Sequence, residues 1–125
     1  MKKILLLVIG VFVIAGINSL NAQKKAKWDE MEIFHKVMST TFHSAEEGKF
    51  EPIRTRSQEM LDKATAWKKS TPPEGYTKEK TAPLLKDLVK GSKKLHKMIK
   101  ANATDKEIME KLNALHDVFH DLMDK

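Results

Sequence analysis

His116 and His120 stand one helical turn apart near the end of a 125-residue chain, a spacing that puts two imidazoles on one helix face where they can chelate one ion. Met31 and His35 repeat that spacing far upstream. Thioether and imidazole are soft or borderline ligands for a transition metal. Each residue also has a plainer use. Met31 and Met38 suit a packed stripe, and His116 and His120 suit a half-exposed helix end where partial positive charge is favoured. His35 takes a place where leucine would serve a core better, so burying it requires a compensating partner. His43 is expected to act as a terminal cap and His96, flanked by lysines, as a solvated side chain. Asp117 and Asp121 read as surface charges able to orient an imidazole.

The rest of the composition narrows the chemistry. The chain has no Cys, which excludes disulfides, thiolate metal sites, a lipoprotein anchor and covalent haem attachment through Cys-x-x-Cys-His. No nucleophile motif or phosphate loop occurs, and Glu32 with His35 forms only one of the Glu-x-x-His pairs a di-iron site needs, so no enzymatic activity is expected. The 23 basic and 17 acidic side chains are spread along the chain without aromatic interleaving, which argues against a nucleic-acid partner.

Lys2 and Lys3 precede an apolar run from Ile4 to Ile17, followed by a short polar stretch to Ala22. That run falls short of the roughly 20 residues a membrane span needs and reads as a secretory signal peptide over 1–22, cut before Gln23. An uncleaved anchor is the alternative. Cleavage would leave a 23–125 domain with no stable membrane span, 21 basic and 17 acidic side chains, in the periplasm or otherwise exported. Lys24, Lys25 and Lys27 then form a solvated tail, with weak attraction to anionic lipid as the alternative reading.

Four stretches of helical periodicity, divided at Pro and Gly, must position the histidines. The first carries Trp28, Met31, His35, Met38, Phe42 and Ala45 on one stripe and ends at Gly48. The second starts at Pro52, with Ile53, Ser57, Met60, Ala64 and Trp67 inward. After the Ser70–Gly75 connection, a third follows Thr81 and Pro83 with Leu84, Leu88, Ser92, Leu95 and Ile99. Thr104 and Glu107 form a capping box for the fourth, whose stripe is Ile108, Leu112, Leu115, Phe119 and Leu122, edged by Met109, His116, His120 and Met123. The expected fold is all-α, an antiparallel up-down-up-down four-helix bundle. In it Met31 would face His120 and His35 would face His116, four ligands near one end of the core.

Glu110-Lys111-Leu112 and Val118-Phe119-His120, with Met31-Glu32 and Thr71-Pro72-Pro73, resemble the cytochrome b-562 family of exported four-helix bundles. The resemblance covers most of the mature chain, but only the Met and the Phe-His are specific. It implies a haem b between helices one and four, axially ligated by Met31 and His120, in a periplasmic single-electron carrier that meets a redox partner protein. Ser57, Ala64, Gly91 and Ser92 would leave room for the ring. The chain departs from the family where His116 replaces an arginine one turn before the ligand and where His35 adds an imidazole after Met31. Those extra imidazoles suit a bare copper, zinc or nickel ion held by His35, His116, His120 and Met31, in a protein exchanging metal with a donor or acceptor. A structural or partner-binding bundle without a cofactor is the third reading.

Overall fold

A computed structural model describes residues 25–125. The signal peptide expected over 1–22 lies outside the described residues. The described chain folds into four α-helices and, among the described residues, no strand: α1 (Asp29–Glu46), α2 (Glu51–Lys69), α3 (Lys78–Lys100) and α4 (Asp105–Met123). No described helix is long and apolar enough to cross a membrane.

Two compact units are present. In the smaller, the Ala26 N–H donates to the Glu74 carbonyl at 3.0 Å, and Gly75, at φ +97°, leaves room for Lys25, whose Cα would lie 2.9 Å from a Cβ there. The larger unit, Trp28–Pro72 with Tyr76–Lys125, is the four-helix bundle. Within it α1 packs on α2, α2 on α3 and α3 on α4, and α4 returns to α1.

Local chemistry explains the boundaries. Asp29, Glu30 and Glu32 place acid at the positive end of the α1 dipole. Gly48 ends α1 in the left-handed region at φ +85°, so that the Lys49 N–H reaches the Ser44 carbonyl at 2.8 Å. Pro52 sits in the first turn of α2, where its missing donor costs nothing. Thr104 and Glu107 make the expected capping box: the Glu107 N–H donates to Thr104 Oγ1 at 3.1 Å and the Thr104 N–H to Glu107 Oε1 at 2.9 Å. The third helix starts at Lys78, before Thr81 and Pro83, so that Pro83 lies inside it rather than at its head.

The buried faces of α2 (Ile53, Ser57, Met60, Ala64, Trp67) and α4 (Ile108, Leu112, Leu115, Phe119, Leu122) are the expected stripes residue for residue. The face of α1 keeps Trp28, Met38, Phe42 and Ala45 of the expected stripe inside but turns away from Met31 and His35. Phe34, Val37, Met38, Thr41, Phe42 and Ala45 are buried, whereas His35 is exposed and Met31 half-buried. Phe34 meets both Trp67 and Phe119, with ring centroids 5.5 and 5.8 Å apart. A large aromatic gains more from that environment than an imidazole would, and this sets the rotation of the helix. In α3 the interior takes Leu85 fully and Leu84 only in part.

Two side chains tie the elements at their ends through three hydrogen bonds. Trp28 Nε1 donates to Ser70 Oγ at 2.8 Å, joining the head of α1 to the residue after α2. Arg54, in the first turn of α2, donates from Nη2 to the Ala103 carbonyl at 2.9 Å and to Asp105 Oδ1 at 2.8 Å, at the head of α4.

Candidate functional site

His116 and His120 project from the edge of α4 beside α1. Their Nε2 atoms are 3.2 Å apart, and their rings meet edge to face at 4.4 Å. That separation is within hydrogen-bond distance, and the tautomer decides which ring donates. His116 also lies flat on Phe42 of α1, with ring centroids 4.0 Å apart and planes 4° from parallel. This stack fixes the plane of the His116 ring without using its nitrogens. Partial burial, and secondly the neighbouring His120, push the His116 imidazole below its ordinary range, while Asp117 and Glu46 act in the opposite sense.

The other expected ligands are elsewhere. His35 is exposed and stacks on Phe119, at 5.1 Å and 25°. The thioether of Met31 accepts a hydrogen bond from the Tyr76 hydroxyl at 3.6 Å. The structure therefore brings together His116 and His120, and gives Met31 and His35 other partners. Among the described residues no three His, Asp or Glu side chains converge to hold a metal ion.

Two histidines behave differently from expectation. His43 forms an ion pair with Glu46 at 3.0 Å on the exposed surface of α1, and both act on the charge of His116. Their three-residue spacing was the available signal. His96 is half-buried, its Nδ1 2.8 Å from the buried Ser57 Oγ, and so bridges α3 to α2 rather than standing in water.

A six-coordinate haem does not fit the residues as they are arranged. Its two implied ligands, Met31 and His120, are engaged by Tyr76 and His116, and His120 is exposed. The ring would need an apolar slot, but Phe34, Trp67 and Phe119 fill the neighbouring interior against one another. Two of the small residues expected to leave room, Gly91 and Ser57, are used otherwise, whereas the buried Ser92 Oγ has no hydrogen-bond partner. A Cβ on Gly91 would lie 2.6 Å from Leu115 Cδ2, and the Ser57 hydroxyl is bonded to His96.

No protein-family model, no curated protein and no solved structure matches this chain significantly. The class defined by fold and site is a four-helix bundle carrying a surface histidine pair.

Proposed function

We propose that this chain is an exported, periplasmic up-down-up-down four-helix bundle that binds one copper, zinc or nickel ion through His116 and His120, and exchanges it with a donor or acceptor protein. The observation that carries the reading is the 3.2 Å separation of the two Nε2 atoms. Two imidazole nitrogens at about 2.0–2.1 Å from one tetrahedral ion lie roughly 3.3–3.4 Å apart, close to the separation the two rings already have. The lowered proton affinity of His116 favours the neutral imidazole that a metal requires. Asp117, Asp121 and the nearby Glu46 supply negative potential. Two protein ligands leave coordination positions for water or for a ligand of another protein, which suits transfer better than storage.

Titrating dialysed protein with each ion against a chromophoric chelator tests this. Wild type should bind one ion, His116→Ala and His120→Ala should each weaken it strongly, and His35→Ala should not. If both α4 variants bind as wild type does, the site is elsewhere. Haemin is the discriminating second ligand. A cytochrome b-562-type electron carrier would give an intense Soret band that Met31→Ala and His120→Ala each shift.

A further inference from the structure

The α3 helix carries eight lysines and two acidic residues. Lys86, Lys90, Lys93, Lys97 and Lys100 recur at intervals of four and three residues, which lines them along one helical face about 21 Å long at 1.5 Å per residue. All five are exposed, as is Lys94 beside them. Lys49 pairs with Glu47, Arg54 with Asp105 and Arg56 with Glu59, and none of these pairs involves a lysine of this ridge. A row of like charges along a helix is self-repelling, each pair separated by one turn costing a few tenths of a kcal/mol. The acids beside the ridge are Asp87, which lines the adjoining groove with Lys90 and Lys94, and Glu107 and Glu110 of α4, which line a depression with Lys94 and Lys111, so these six exposed lysines of α3 outnumber them.

The adjoining surface is shaped as well as charged. Between α3 and α4 runs an open groove of about 350 Å³, lined by Lys90, Lys94 and Lys111 with the one acid Asp87, and by Gly91, Leu115 and Val118. Gly91 lets the two helices approach closely here, since a Cβ would strike Leu115. An apolar floor under a lysine rim matches a ligand that carries its negative charge beside hydrocarbon.

We infer that the α3 lysine ridge, with the groove beside it, docks the protein onto an anionic phospholipid bilayer. Lysine ammonium groups are compact point charges without the planar fork that reads a carboxylate or phosphate bidentately, so they suit a laterally mobile field of headgroups better than one shaped anionic partner. The ridge has no large exposed apolar side chain to serve as the buried anchor of a protein interface; the exposed one, Ile33, is on α1. It also has no aromatic residue on which a nucleic-acid base could stack. Each lysine near an anionic surface contributes about 1 kcal/mol, an attraction that salt screens.

The test is co-sedimentation of the full described chain with vesicles of phosphatidylcholine alone and of phosphatidylcholine mixed with phosphatidylglycerol, at low and high salt. Lys90→Glu/Lys94→Glu/Lys97→Glu is compared with Lys36→Glu/Lys68→Glu/Lys106→Glu, which changes net charge equally on other helices. Thermal melts confirm that both variants are folded. Wild type should bind only the mixed vesicles and release in salt. The ridge variant should lose about a hundredfold in partition coefficient, as expected for three surface lysines, and the control far less. Equal losses in the two variants would reduce the effect to net charge and overturn the assignment. So would equal binding to both vesicle types, no binding at low salt, or tighter binding of polyglutamate or duplex DNA than of the anionic vesicles.

Discussion

The α1–α4 face and the α3 face of this bundle are electrostatic opposites built from the same kind of element. α4 has five acidic residues and two lysines, and α1 has four acids and one lysine. α3 has eight lysines and two acids. The acidic face holds His116 and His120 with their nitrogens 3.2 Å apart, and the basic face holds a ridge of exposed lysines that outnumber the acids beside them. A helix surface selects its ligand by the sign of its field, and a near-neutral total can conceal two strong and separate preferences. The faces differ in precision too. The histidine pair is held by a stacked ring and a local hydrogen bond, whereas the lysines are free to follow a diffuse target.

The sharpest way to break this contrast is to exchange the readouts. His120→Ala should weaken ion binding by at least the roughly hundredfold that losing even an outer partner of a metal ligand can cost, and should leave vesicle binding unchanged. The α3 triple variant should do the reverse. If either variant moves both readouts, the two faces are not independent.

A smaller effect is expected at the α3–α4 seam. Gly91→Ala gains helix propensity of about 1 kcal/mol, but its Cβ meets Leu115 Cδ2 at 2.6 Å. Overpacking of about 1–3 kcal/mol should outweigh the gain, giving a net loss read as a lower urea midpoint. A stabilised variant would show that the groove floor yields easily. On the opposite side, Ser57→Ala removes the partner of the half-buried His96 Nδ1 and should cost about 1 kcal/mol in the same measurement.

The smallest effect is the pH dependence of His116. Its folded-state proton affinity is lowered from the ordinary 6.5, so the unfolded chain binds the proton more readily than the folded one. The contribution to stability is complete above 6.5 and declines as pH falls from there towards the lowered value. Urea melts across that interval should show the decline, and His116→Gln should remove its share. Ion binding should weaken over the same interval, because the proton and the metal compete for one lone pair. An unchanged midpoint in wild type would remove burial of His116 as a contributor.

Much of the fold was legible in the sequence, for a local reason. The interior stripes of α2 and α4, the Thr104 capping box, the Gly48 stop and the one-turn spacing of His116 and His120 depend on residues within a turn of one another, where helix geometry alone dictates the relation. The ligand set drawn across two helices was not legible in this way. It required the rotation of α1, and stripes through His35 or through Phe34 differ by one residue step. Only contact with Trp67 and Phe119 from other helices selects Phe34 for the interior, leaving His35 outside on the Phe119 ring.

The same division applies to His96 and to the lysines. Periodicity places His96 beside an interior stripe, but its bond to Ser57 exists because α2 brings a hydroxyl to that height. The spacing of Lys86 to Lys100 is written in the sequence, whereas the meeting of that ridge with Lys111, Glu107 and Glu110 follows from the packing of α4 on α3. Sequence alone determined the helices, their caps and which residues share a face, because those are short-range properties of a 3.6-residue repeat. The tertiary structure decided which face turns inward and which side chains find partners, because burial and charge pairing are settled between elements rather than within them.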